Sequence, residues 1–266
     1  MLCKRTKIFG TALTSICQRR NLTIKYQPKE AMFYWKKTPP LVCYDIICFG
    51  ITRRSAPCYL WIGSTTKKVM EKWNGFDLKR ENFNGRELII VFPQKGTENG
   101  RWALKTEYFN AFPAVEIELV KKGYHLVHLK NITRWCKQED TDARAKLAEY
   151  MHESYNLSEK CVVVGMSCGG MQGIYFASEY PRYVSCMYLD APVVNLLSCP
   201  AGLGKADNSL FDEFYEHMNI SVSQLLSYRN HPLDHIPNLV KNNIPVILVC
   251  GDSDSIVPYE ENGKLI

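Results

Sequence analysis

Gly165-Met166-Ser167-Cys168-Gly169-Gly170 sets a hydroxyl among small residues at a spacing that suits nucleophilic chemistry. The β-branched run Val162-Val163-Val164 precedes it, and the residues beyond read as a helix. A tight strand-to-helix turn strains the backbone of its central residue, and flanking side chains would collide, so Gly165 and Gly169 belong there. The serine hydroxyl then stands at the carboxyl edge of a sheet. It lies beside a helix N-terminus, whose N–H groups favour developing negative charge. Cys168 is not the expected nucleophile, because such a turn presents its central residue. The plain alternative is a structural glycine turn with an incidental serine.

A second group, Gly251-Asp252-Ser253-Asp254-Ser255-Ile256-Val257-Pro258, directly follows the apolar run Pro245–Cys250. A carboxylate at that strand end can orient a histidine and stabilise its imidazolium form. Asp254 is the expected carboxylate, and Asp252 is expected to cap the turn through nearby backbone N–H groups. Trp102 and Lys105 are candidates for lining an acyl or leaving-group pocket, although an indole there equally suits the edge of the core.

These groups need strands and helices to hold them. Asn84-Gly85 predicts a hairpin turn, and Glu87–Pro93 a buried strand. A helix is predicted over Ala114–Lys122, closed by Gly123, and a strand over Tyr124–Leu129. Thr141–Tyr155 predicts an amphipathic helix, with Ala145, Ala148, Met151 and Tyr155 at helical spacing. A strand follows at Lys160–Val164, a helix from about Gly170 to Glu179, and strands at Val184–Leu189 and Pro245–Cys250. Alternating strands and helices predict an α/β fold, a mostly parallel sheet with helices on both faces. Residues 193–244, between Pro192 and Pro245, read as an inserted cap with helical pieces at Leu210–His217 and Val222–Tyr228.

Charge divides the chain. Residues 1–70 hold thirteen Lys and Arg against Glu30 and Asp45, a net +11, which leaves −5 for the remainder of the +6 total. The catalytic portion, residues 71–266, is therefore mildly acidic, and no nucleic-acid partner is expected for it. Residues 1–70 read as a basic extension without assignable fold, whose own partner, membrane or nucleic acid, stays open beside a transit-peptide reading. No segment approaches the length of a membrane span; Leu41–Phe49 is short and contains Asp45. The eleven cysteines are scattered without metal-ligand spacing. Most are expected as buried thiols in a reducing, cytoplasmic setting. No metal or organic cofactor is expected.

The serine and aspartate motifs resemble the α/β-hydrolase superfamily. More narrowly, residues 102–109 (WALKTEYF), 122–126 (KGYHL), 189–192 (LDAP) and 249–262 (VCGDSDSIVPYEEN) are similar to bacterial esterase- or peptidase-like members. The likeness runs from about Lys72 to Ile266. It implies Ser167 as nucleophile, Asp254 as acid, and the Cys168 backbone N–H as first oxyanion donor. A second donor is expected from the loop after Glu87–Pro93, at Gln94 or Lys95. The superfamily order places a histidine on a loop after one more strand, and no histidine follows Asp254 in this sequence. The sequence is therefore expected to be truncated, lacking the last strand and helix, and impaired in turnover. The expected activity is cleavage of a small-molecule carboxylic ester through an acyl-enzyme. A peptidase or amidase of the same fold, or a non-catalytic binding module, is the alternative.

Overall fold

The computed structural model describes residues 70–266 in full and, before them, only the backbone of four short strands. The chain divides between Val69 and Met70 into two compact units. In the first, β1 (Leu22–Ile24) pairs antiparallel with β4 (Ile62–Ser64), and β2 (Ala31–Lys37) with β3 (Tyr44–Gly50). The residues that carry the transit-peptide reading lie outside the described residues.

The second unit is built on one eight-stranded sheet. Its strands are β5 (Glu71–Trp73), β6 (Phe76–Phe83), β7 (Arg86–Val91), β8 (Trp102–Lys105), β9 (His125–Leu129), β10 (Cys161–Met166), β11 (Val184–Asp190) and β12 (Val246–Val249). Their spatial order is β12-β11-β10-β8-β9-β7-β6-β5. The five from β8 to β12 run parallel, and β5, β6 and β7 form an antiparallel meander at the other side. Local chemistry explains the meander. Asn84 and Gly85 turn with φ of 52° and 84°, the paired positive φ that joins two twisted strands tightly.

Helices α1 (Ala114–Lys121), α2 (Gln138–Tyr155) and α3 (Cys168–Glu179) make the crossovers between parallel strands. Period-two alternation sorts the strand side chains to two faces. Leu88, Ile90, Trp102, Leu104 and Val163 pack with Leu147, Met151, Ile174 and Phe176 of α2 and α3. Ile89, Val91, Ala103, Leu126 and Val164 face the other way, against Val120 of α1. Helices therefore cover both faces, as an α/β-hydrolase fold requires. Residues after β11 carry α4 (Phe211–Met218), α5 (Val222–Ser227) and α6 (Ile236–Lys241). Phe214 and Leu225 from this insertion join Trp135, Cys168, Met171 and Val257 in a third apolar cluster, over the start of α3. Among the described residues, no helix is long and apolar enough to cross a membrane.

Candidate active site

Parallel pairing fixes where the site forms. Met166 is in register with Asp190, and Asp190 with Val249, so β10, β11 and β12 end at one level and at one sheet edge. Ser167 leaves β10 there and caps α3 with φ 53° and ψ −121°, a conformation open to glycine but strained for serine. The surroundings hold it in place: its N–H donates to Asp190 O at 2.9 Å, and its own carbonyl accepts from Gly170 N at 2.9 Å and Val193 N at 3.1 Å.

The glycines are required by contact. A Cβ on Gly165 would come within 2.5 Å of Gly169 O, and one on Gly170 within 2.5 Å of Pro192 Cβ. On Gly169 it would press against Glu107 Cβ at 3.0 Å and Thr106 Oγ1 at 3.1 Å. The elbow and the loop after β8 are thus packed backbone to backbone, and Thr106 Oγ1 ties them by donating to Gly169 O at 2.6 Å.

The N–H groups of Cys168 and Glu107 donate to no acceptor among the described residues. Both border the elbow, Glu107 N lying 3.3 Å from where a Gly169 Cβ would stand. This corrects the expectation of Gln94 or Lys95 as second donor. β7 runs antiparallel to β9, and hence to β10, so Gln94 emerges at the opposite sheet edge from Ser167. There its carbonyl accepts from Thr97 N at 2.9 Å. The loop after β8, not β7, reaches the elbow.

That loop is braced by a buried polar network. Asn131 Nδ2 donates to Glu107 Oε2 at 2.8 Å and to Thr106 O at 2.7 Å. Gln172 Nε2 donates to Glu107 Oε2 at 2.9 Å and to Arg134 O at 3.0 Å. Arg144, only 1% exposed, donates in turn to Asn131 and Gln172. The Tyr108 hydroxyl lies against the Cys168 thiol and 3.5 Å from Arg134 Nη1. Burial raises the Cys168 thiol above its ordinary range, which keeps it protonated and leaves the hydroxyl of Ser167 as the candidate nucleophile. Arg134 also pairs through two hydrogen bonds with Glu213 of α4, joining the insertion to this loop.

Asp254 follows β12 at the Ser167 edge. Its Oδ1 accepts from Ile256 N at 2.9 Å and Val257 N at 2.8 Å, while Asp252 accepts only from the Ser253 hydroxyl at 2.9 Å. The turn-capping bonds expected of Asp252 therefore belong to Asp254. Asn262, fully buried, fixes this segment to the residues after β11. Its Oδ1 accepts from Val194 N at 3.1 Å and Asn195 N at 3.2 Å, and its Nδ2 donates to Pro258 O at 3.2 Å.

Trp102 faces the core and not a pocket beside Ser167, whereas Lys105 borders a cavity of about 190 Å³ together with Gly165, Met166 and Asp190. Trp102 is wholly buried, its indole N–H donating to Ser158 O at 2.8 Å, because even-numbered β8 positions face the α2–α3 layer. Lys105, on the other face, is buried in an ion pair with Glu116 of α1.

None of the six histidines hydrogen-bonds to Ser167 or Asp254 among the described residues. His128 Nδ1 meets Lys105 O at 2.8 Å, and His152 Nδ1 meets Leu157 O at 2.8 Å. His231 Nδ1 accepts from Leu196 N at 3.2 Å, and His235 is held between Ser178 and Asn230. His125 is buried with an unpartnered Nδ1, and His217 is exposed. His125 and His128 lie on opposite faces of β9. Both are buried.

A model of the prolyl oligopeptidase family matches residues 123–266, more than half of the chain, including the elbow and Asp254. The chain belongs to the prolyl oligopeptidase family. Solved structures agree on the fold. This prolyl oligopeptidase family member resembles the acylaminoacyl peptidase of Pyrococcus horikoshii with a TM-score of 0.55 and 14% identity, covering 90% of this chain and 41% of that one. A puromycin-hydrolyzing peptidase of Mycobacterium tuberculosis gives a TM-score of 0.54 at 11% identity, covering 72% of this chain and 33% of that one. Est1E from Butyrivibrio proteoclasticus gives 0.51 at 16% identity, covering 71% of this chain and 83% of that one. The chain thus spans well under half of the two peptidases. No curated protein matches it in sequence. The fold and family place it in the α/β-hydrolase superfamily.

Proposed function

We propose that this chain is a serine hydrolase that acts on carboxylic esters by acyl transfer from Ser167 to water. The observation that carries the reading is the strained elbow, with Ser167 at φ 53° beside the unengaged N–H groups of Cys168 and Glu107. Ser167 Oγ would attack the ester carbonyl, its proton passing to solvent, and the carbonyl oxygen, gaining charge, would accept from those two N–H groups. The alcohol would then leave, and water would hydrolyse the acyl-enzyme, with Asp254 as the acid at the same sheet edge. An amide demands protonation of its leaving nitrogen by an imidazolium. An ester with a good leaving group does not. Esters therefore make the lesser demand on this site and are the class proposed.

The same observation favours a second reading, a binding module that holds an acyl compound without turnover. p-Nitrophenyl acetate and p-nitroacetanilide, each assayed with the full chain and with Ser167→Ala, decide between them. The ester reading requires nitrophenol release that Ser167→Ala abolishes, with slower release from the anilide. Release above that of buffer alone that Ser167→Ala leaves unchanged overturns the nucleophile, and no release above that of buffer alone supports the binding module.

A further inference from the structure

The two edges of the eight-stranded sheet are built differently. An edge strand carries a row of unpaired N–H and C=O groups, and proteins ordinarily guard such a row with charge. β5 is guarded in this way: Glu71 and Lys72 occupy it, and Lys72 pairs with Asp77 at 2.7 Å. β12, at the opposite edge, has no charged residue, and neither has any position between Lys241 and Asp252.

Hydrogen bonding fixes what β12 offers. Met187 N donates to Pro245 O at 2.9 Å and Ala191 N to Val249 O at 2.8 Å, so the odd-numbered backbone groups serve the parallel ladder to β11. The N–H and C=O groups of Val246 and Leu248 therefore point outward, where no strand lies among the described residues. The side chains alternate as well. Val246 and Leu248 pack against the core, whereas Ile247 and Val249 are 61% and 44% exposed.

An outward row of alternating donors and acceptors is complemented by another strand, and an antiparallel arrangement about a two-fold axis lets β12 complement itself. With the axis beside Ile247, Val246 of each copy faces Leu248 of the other, and about four hydrogen bonds form. The two Ile247 side chains then meet in a close pair, their Cα atoms about 4.5 Å apart, and cover each other. Charge selects the same arrangement. Exposed Lys241 precedes the strand and exposed Asp252 follows it. Antiparallel pairing sets the cationic end of each copy against the anionic end of the other, whereas parallel pairing would oppose like charges.

We propose that β12 is a self-association edge, through which two copies of this chain form a two-fold dimer with one continuous sheet. A strand of four residues buries less than the roughly 1,200 Å² of a durable interface, so the dimer is reversible, half formed on the order of 10⁻⁵ to 10⁻⁴ M. Sedimentation equilibrium of the full chain across that range should fit monomer and dimer alone. Ile247→Lys, which brings two cations together at the axis, should weaken association by about tenfold or more. Lys241→Glu should weaken it by about fivefold, and Lys241→Glu combined with Asp252→Lys should restore it, since the swap renews both opposite-charge contacts. Far-ultraviolet circular dichroism checks that each variant is folded, and Val249→Lys carries the test if Ile247→Lys is not. A parent that stays monomeric about tenfold above the stated range overturns the proposal. So does assembly beyond a dimer, undiminished association of a folded Ile247→Lys or Val249→Lys, or a charge swap that fails to restore what Lys241→Glu removes.

Discussion

Replacing Ser167 by glycine should make the protein more stable, although it removes the nucleophile. The residue sits at φ 53° and ψ −121° and its side chain makes no capping hydrogen bond to α3, so its loss removes strain without removing a cap. Strain of this kind amounts to about 1–3 kcal/mol. Glycine gives back roughly 0.5–1 kcal/mol through the greater freedom of the unfolded chain. The net gain is on the order of 1–2 kcal/mol, and a domain of this size gains about 2–4 °C in melting temperature per kcal/mol. Ser167→Gly should thus melt roughly 2–8 °C above the parent, by the same conversion. Ser167→Ala, which keeps the Cβ and the strain, should stay near the parent. Differential scanning calorimetry of the three proteins is the assay. A Ser167→Gly melting point no higher than that of Ser167→Ala refutes the reasoning, since both variants lack the hydroxyl and differ only at Cβ.

Other perturbations follow from the same contacts. Gly165→Ala places a methyl 2.5 Å from Gly169 O, a backbone atom that cannot swing aside. It should destabilise by about 3 kcal/mol, read as a shift in urea midpoint at constant slope. Asn262→Leu leaves the N–H groups of Val194 and Asn195 buried without their acceptor, and should destabilise by about 2–4 kcal/mol in the same measurement. Burial holds the His125 pKa below its ordinary 6.5, so the fold prefers the neutral ring. Its contribution is full above that pH and is lost as pH falls below it. His125→Leu should therefore shrink the fall in urea midpoint between pH 7.5 and 5.5, while His128 and His235, also lowered by burial, retain part of it.

The elbow was legible because short-range geometry dictates it. A Cβ at 165 or 170 would collide and one at 169 would crowd Thr106 and Glu107, and a β-branched run leads in. The parallel strands and α2 were legible through periodicity, whose signal is local. β8 was not: Trp102–Lys105 is four residues long and ends in a lysine, too brief for any period to show. Without β8, the loop bearing Glu107 and Tyr108 had no strand to follow, and the second oxyanion donor was sought after β7. An apolar run also does not reveal its direction, so the antiparallel course that carries Gln94 to the far edge stayed hidden. The charged and amide groups that brace the site, Glu107, Asn131, Arg144, Gln172 and Asn262, are distant in sequence. Each has meaning only through a partner that the fold supplies.

The sheet joins two kinds of pairing, and this bears on the order in which the molecule assembles. β6 and β7 meet across a two-residue turn at Asn84-Gly85, so loop closure scarcely opposes them. β8 and β10 are neighbours only after the chain has travelled far, as Thr106 and Val164 are 58 residues apart. Contacts of such separation form late and set the folding rate. The elbow depends on them, since the strained serine is held by groups from β11, from the segment after β11 and from the loop after β8. No fragment lacking β8, β10 or β11 supplies all of those groups. Covalent capture of Ser167 by an acylating reagent during refolding would accordingly time the end of folding, and the meander would report its beginning.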